Sequence, residues 1–330
     1  MKIKLNSNYL QKFMIIGILV FLCIIFSMMS EDFFTYINIR NILRQQSMVA
    51  ITAAGATFIM ITTGLDISVG STIALTGVVF AKLVQGGMGL LPACLIAILV
   101  GGLVGVINAM LIVGAKINPV IATLGTMYAI RGTAYIVAGG STIANGLPQG
   151  FNFLGRGYLG PVPIPVVIMI AVYIIFNFVL SRTVLGKYTY AIGGNKETAR
   201  LSGINVAKVI TGLYILTGLL TGLSGTIMAS RLTSGNPQIG MGFEFDVIIA
   251  VFLGGVSTTG GEGTLVGTFI GAMIVGVLSN GLNLLGVDPF YQYIIKGVVL
   301  VLAVMIDMAL KGNGINFKSF KNKFTKVANN

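Results

Sequence analysis

The chain has 330 residues, 55% of them hydrophobic and only 9% charged, with a mean hydropathy of +0.94. A soluble domain carries about 25% charged residues, so this chain has too little polar surface to face water on all sides. The net charge of +12 does not indicate nucleic acid, because the lysines and arginines gather at the ends of apolar runs and in the C-terminal tail, as topology determinants do.

Histidine is absent, which excludes imidazole proton relays, zinc chemistry and most nucleophilic triads. The two cysteines, Cys23 and Cys94, lie inside apolar runs and read as small buried hydrophobes. No Gly-x-x-x-x-Gly-Lys-Ser/Thr loop is present, so the chain does not bind ATP in the P-loop manner. No cofactor, metal or covalent chemistry is expected.

Apolar runs recur along the whole length, each long enough for a hydrocarbon core of about 30 Å. They are continuous, which excludes the alternating pattern of a β-barrel. The expected fold is all-α, one polytopic transmembrane domain over residues 1–330, with about ten spans near 12–30, 41–62, 70–86, 91–113, 119–138, 164–181, 207–230, 244–257, 263–285 and 290–310. The first run follows Lys2, Lys4 and Lys12 and precedes Glu31-Asp32-Phe33-Phe34, without a small-residue cleavage site, so it reads as a retained span. The third and eighth runs are short enough to be tilted, re-entrant or broken. The 45 glycines suit close helix packing.

An even number of spans puts both termini on one side. The lysine and arginine bias makes that side cytoplasmic for residues 1–12, for 182–208 and for the basic tail 311–330, leaving Arg40, Arg44, Lys82, Arg156 and Arg231 outside. The longest external connection, about 139–163, is rich in glycine and proline and predicts turns with little helix. It is either a plain connector or a lid or partner contact.

Thr63-Gly64-Leu65-Asp66-Ile67-Ser68-Val69 echoes Thr259-Gly260-Gly261-Glu262-Gly263-Thr264-Leu265. In each copy an acid precedes a hydroxyl by two residues where one apolar run gives way to another. Asp66, Ser68, Glu262 and Thr264 are therefore either helix caps at junctions near the cytoplasmic face or gating and partner-contact residues. The hydroxyls of Ser68, Ser71 and Thr72 are placed to cap the following helix. Lys296 reads as a snorkelling lysine, and Arg131 as either a snorkelling residue or half of a buried ion pair. The amides of Asn108, Asn118, Arg131's neighbours in this polar set, and of Asn280 and Asn283, suit either a solute path or helix–helix bonding; Arg131 joins them as a path candidate.

The 182–208 stretch is basic and polar between two long spans. Within it, Glu197, Ala199, Arg200, Leu201, Ser202, Gly203 and Ile204 combine charge with an apolar face, as a helix docking into a soluble partner's groove requires.

Gly64-Leu65-Asp66-Ile67-Ser68-Val69-Gly70-Ser71 resembles a motif of the ribose-type sugar ABC transporter permeases. So do Asn118-Pro119 with Ile121-Ala122-Thr123-Leu124-Gly125-Thr126 and Arg131-Gly132, Gly186 through Ile204, and Leu253-Gly254-Gly255-Val256-Ser257 with Gly260-Gly261-Glu262-Gly263. The resemblance covers about 35–310, in order. It implies a bacterial cell-membrane importer with two permease copies, a cytoplasmic ATPase and an extracytoplasmic binding protein that delivers a simple sugar. The 197–203 stretch is similar to the glutamate–alanine–alanine…glycine coupling loop of related permeases, with Thr198 at the second position. Nucleosides or branched-chain amino acids are the rival cargoes. An ion-coupled transporter using Asp66 and Glu262, or a membrane scaffold without a path, are the rival classes.

Overall fold

The computed structural model describes residues 7–310; the extreme N-terminus and the basic tail 311–330 lie outside the described residues. Its helices are α1 (Ser7–Met29), α2 (Tyr36–Ile61), α3 (Val69–Gln85), α4 (Leu90–Ala109, continued by a π-turn Met110–Gly114), α5 (Pro119–Ala138), α6 (Phe153–Arg156), α7 (Ile164–Arg182), α8 (Val184–Gly194), α9 (Lys196–Leu201), α10 (Val206–Leu232), α11 (Phe243–Leu253), α12 (Leu265–Leu284) and α13 (Pro289–Leu310). Ten of them occupy the ten predicted runs, and α6, α8 and α9 are short connecting helices. The described β-structure is the hairpin β1 (Tyr158–Leu159) and β2 (Val162–Pro163) and a bridge between Ile143 and Gly235.

Among the described residues, five helical segments are long and apolar enough to cross a membrane by themselves: Leu90–Gly114, Pro119–Ala138, Ile164–Arg182, Val206–Leu232 and Leu265–Leu284. α2 is central instead: every residue from Gln46 to Ile61 is buried. Its alanines, glycine and threonines admit close neighbours, and its hydroxyls bond across helices, Thr52 to Ser224 at 3.0 Å and Thr57 to Thr268 at 2.8 Å. α4 and α10 cross closest. A Cβ on Gly101 would lie 2.8 Å from the Gly222 Cα, and one on Gly218 only 3.1 Å from the Gly105 nitrogen. Small residues spaced by one helical turn on both partners are what allow this approach.

The two short spans are genuinely short. The 17 residues of α3 reach about 25 Å and the 11 of α11 about 16 Å, against a core of about 30 Å. The eighth span is thus a broken one, with a non-helical lead-in over 233–242 rather than a helix to residue 257. The 139–163 connection holds more helix than expected, a 3₁₀ turn Gln149–Asn152 running into α6. Tertiary contacts fix it: Phe151 stacks on Phe80 at 4.7 Å, and the Ser230 hydroxyl donates to the Phe151 carbonyl at 2.7 Å while accepting from the Gly155 N–H at 2.8 Å.

The helices share two ends. One holds α8 and α9, the α4–α5 turn, and the 254–264 turn; the other holds the 139–163 connection and the α12–α13 turn. By chain direction α1 starts, and α13 finishes, at the α9 end.

Candidate functional site

The α8–α9 element is built from caps and one turn. The Asn195 side-chain oxygen accepts from the Thr198 N–H at 2.8 Å and starts α9. Gly203, at φ +84°, ends it, where an L-residue with a Cβ would be strained. The Ile204 N–H returns to the Ala199 carbonyl at 3.1 Å, and Asn205 caps α10 by accepting from the Lys208 N–H at 3.0 Å. Ala199 is buried, whereas Leu201 is 74% exposed. Arg200 and Glu197 pair at 2.6 Å on the surface, and the hydrogen bond from Arg200 holds the Glu197 carboxyl below its ordinary range. Ser202 donates to the Thr198 carbonyl at 2.9 Å. Between this element and the α4–α5 turn lies a cavity of about 860 Å³, lined by Ile112, Lys116, Asn118, Arg200, Gly203 and Ile204 among others. Asn118 caps α5 there, accepting from the Val120 N–H at 2.9 Å.

α8 is joined to the core at its far end. The Gly261 N–H donates to the Ile61 carbonyl, the last of α2, at 2.9 Å. Gly193 fits against the same place so tightly that a Cβ on it would overlap the Ile61 oxygen and lie 2.5 Å from the Gly261 nitrogen. The Tyr190 hydroxyl donates to the Gly263 carbonyl at 2.7 Å. The end of α2, the end of α8 and the 257–264 turn therefore form one joint. Glu262 lines a second cavity of about 500 Å³ beside it, and its carbonyl accepts from the Ser257 N–H at 3.1 Å. Thr264 caps α12 by accepting from the Gly267 N–H at 3.1 Å.

Asp66 lies in a second polar cluster. One carboxylate oxygen accepts from the Ser68 N–H at 2.9 Å and the Ser68 hydroxyl at 2.6 Å. The Asn108 amide donates to both oxygens at 3.3 Å and to the Ser68 hydroxyl at 2.9 Å. Thr126 on α5 donates to the Asn108 oxygen at 2.7 Å, and Tyr214 on α10 donates to the Leu65 carbonyl at 3.1 Å. Thr126 stands about 10 Å along α5 from Pro119, so the 62–68 junction climbs into the bundle before α3 begins. The hydroxyls of Ser71 and Thr72 do not cap α3; both donate back to the Ser68 carbonyl, at 2.8 and 2.9 Å, and Ser68's own hydroxyl is spent on Asp66.

The remaining polar residues tie elements together. Asn280 and Asn38 exchange two amide bonds, at 2.9 and 2.8 Å, between α12 and α2. Asn283 accepts from Gln292 on α13 at 2.8 Å. Arg131 is half-buried and donates to the carbonyls of Pro237 and Ile239 at 2.7 and 2.6 Å. Lys296 pairs with Asp246 at 2.7 Å rather than snorkelling, because α11 starts inside the bundle and brings a carboxylate within reach.

Sequence reasoning missed a cluster at the end opposite α9. Arg40 lies over the Tyr158 ring at 4.2 Å, Arg44 at 5.0 Å, and Arg44 also donates to the Tyr158 hydroxyl. Arg156 donates to the Arg231 carbonyl at 2.7 Å. Among the described residues none of these four arginines has a carboxylate partner. The signal was available in the basic residues that the charge bias groups together, but they are scattered from Arg40 to Arg231 and only the fold assembles them.

The bundle of apolar helices with a polar, capped element at one end defines a polytopic membrane protein. A family model described as branched-chain amino acid transport system / permease component matches residues 38–304, and the chain belongs to that family. It is 44% identical over 296 residues to the ribose import permease protein RbsC of Escherichia coli (strain K12), covering 89% of this chain and 92% of the relative. It is 42% identical over 287 residues to the ribose import permease protein RbsC of Bacillus subtilis (strain 168), covering 87% and 89%. The D-allose transport system permease protein AlsC of Escherichia coli (strain K12) is 36% identical over 292 residues, covering 88% and 89%. No solved structure matches the chain.

Proposed function

We propose that this chain is the membrane-spanning subunit of an ATP-driven importer for a simple sugar. It binds no nucleotide and makes no covalent bond; it opens its path alternately to the two sides under force from its partners. The similarity to ribose and allose permeases favours a monosaccharide over the branched-chain amino acids in the family's description.

The observation that carries the mechanism is the joint between α8–α9 and the core. A soluble ATPase gripping the exposed Leu201, Arg200 and Glu197 surface moves α9. Two asparagine caps and the Gly203 turn make α9 follow without melting. The Gly193–Ile61–Gly261 contact delivers the movement to α2 and to the 257–264 turn that leads into α12. Glu197, Ala199, Arg200, Leu201, Ser202, Gly203 and Ile204 are the coupling residues in this reading. Asp66, Ser68, Glu262 and Thr264 hold the junctions that the movement reaches. Asp66 is satisfied by donors of its own chain, which favours a structural junction over an ion-coupling carboxylate.

In this reading the α9 end is cytoplasmic, so both termini are inside. The arginine-rich end faces the binding protein, and a second permease copy completes the path. The test is Arg200→Glu in the assembled transporter. Uptake of D-ribose and its stimulation of ATP hydrolysis should both be lost with the permease still inserted. Normal coupling would remove α9 from the mechanism. Cysteines replacing Asn195 and Asn152, in a background lacking Cys23 and Cys94, test the orientation: an impermeant thiol reagent applied to intact cells should label position 152 and spare 195.

A further inference from the structure

The broken span contains a segment that lipid cannot solvate. Between Asn236 and Gly242 the chain is non-helical, with Gly240 and Gly242 at positive φ of 77° and 79°. Three helices fix its depth. Arg131, which holds the Pro237 and Ile239 carbonyls, is rooted about 10 Å along α5 from Ala138. Lys296, which holds Asp246, is rooted about 10 Å along α13 from Pro289. α11 itself places Phe243 about 15 Å from Leu253. The strap therefore runs inward from Gly235, which is bridged to Ile143 at the end that holds the 139–163 connection, to Phe243, deep between the two ends of the bundle.

Irregular backbone at that depth is tolerated only where it is buried in protein or borders a water-filled cavity. One side of this strap is buried: Gly240 packs on the Gly70 backbone at the start of α3. The other side is open. Gln238 is exposed, as are Met241 at 58%, Phe245 at 51% and Tyr293 at 59%. The Tyr293 ring lies against Gly242, 3.3 Å from where a Cβ would stand. An exposed primary amide at membrane depth is costly against lipid and gains hydrogen bonds against water or a polyol.

Building on the importer reading, we propose that residues 238–245, the end of the strap held by Arg131 and the first turn of α11 held by Lys296, border the translocation path and contact the passing solute. The chemistry suits a small polyhydroxylated ring. The Gln238 amide bonds hydroxyls, and the Phe245 and Tyr293 rings cover an apolar C–H face. Arg131 and Lys296 are positioning residues that hold the strap.

Thiol accessibility tests the placement without reference to any solute. In the full transporter lacking Cys23 and Cys94, Gln238→Cys and Met241→Cys are exposed to a charged, water-soluble methanethiosulfonate, both without nucleotide and after trapping with ATP and vanadate. Ile174→Cys, 67% exposed on the apolar surface of α7, is the lipid-facing control, its accessibility verified with a lipid-soluble maleimide. The expected result is complete labelling of either strap cysteine, in at least one state, under conditions that leave position 174 unlabelled. Failure of both cysteines to label in both states overturns the proposal. Solute contact is read separately: Phe245→Ala should raise the D-ribose concentration for half-maximal uptake roughly tenfold. An unchanged value in both Phe245→Ala and Gln238→Ala would remove the solute contact. If the unsubstituted transporter does not import D-ribose, the sugar assignment fails while the labelling result still decides the strap.

Discussion

Gly193→Ala places one methyl group in the joint that carries force from α9 to the core. Its Cβ would overlap the Ile61 carbonyl oxygen and sit 2.5 Å from the Gly261 nitrogen, both backbone atoms with no rotamer to yield. The two segments must part by roughly an ångström, since ordinary contacts begin near 3.4 Å. Parting also breaks the 2.9 Å bond from the Gly261 N–H to the Ile61 carbonyl. Overpacking costs about 1–3 kcal/mol and the lost hydrogen bond about 1 kcal/mol, so the expected destabilisation is about 2–4 kcal/mol. The neighbouring Gly194→Ala meets nothing within 4 Å and serves as the matched control. Thermal unfolding of the detergent-solubilised protein should show a lower midpoint for the first variant and an unchanged one for the second. In the reconstituted transporter, Gly193→Ala should keep basal ATP hydrolysis and lose its stimulation by the loaded binding protein. Equal stability and equal coupling in the two variants would refute both the tight joint and the force path drawn through it.

Asn108→Leu leaves one oxygen of the buried Asp66 carboxylate without its donor and takes the shorter of two acceptors from the Thr126 hydroxyl, and should destabilise the fold by about 2–4 kcal/mol. Asp66→Asn keeps an acceptor for Ser68 and should cost clearly less, a ranking that unfolding midpoints can reverse. Gly203→Pro removes the N–H that bonds the Arg200 carbonyl and forces a left-handed residue to negative φ; uptake should vanish while insertion persists, which quantitative membrane blotting checks. Arg40→Glu with Arg156→Glu should weaken capture of the binding protein, and the difference from the unsubstituted permease should shrink at high salt. Capture that is unaffected at low ionic strength would detach the arginine cluster from docking.

The membrane class, the positions of the apolar helices and the polar character of α8–α9 follow from composition and local pattern alone. A hydrocarbon core demands long apolar runs whatever their neighbours, and the chain must write that demand into contiguous sequence. The glycine after α9 and the asparagines at 195 and 205 likewise act within a few residues of themselves. Other features depend on residues far apart in the chain. Asn108 meets Asp66 because the 62–68 junction turns inward to the level of α4 and α5. Arg40 and Arg44 meet Tyr158, and Arg156 meets Arg231, because α2, α10 and the 139–163 connection end together. Lys296 finds Asp246 because α11 is too short to cross. Amphipathic period and charge counts carry no record of such meetings. Those depend on which backbones can approach, and here that is decided by glycines, such as Gly101 against Gly222 and Gly193 against Gly261, whose missing side chains acquire meaning only when another helix arrives.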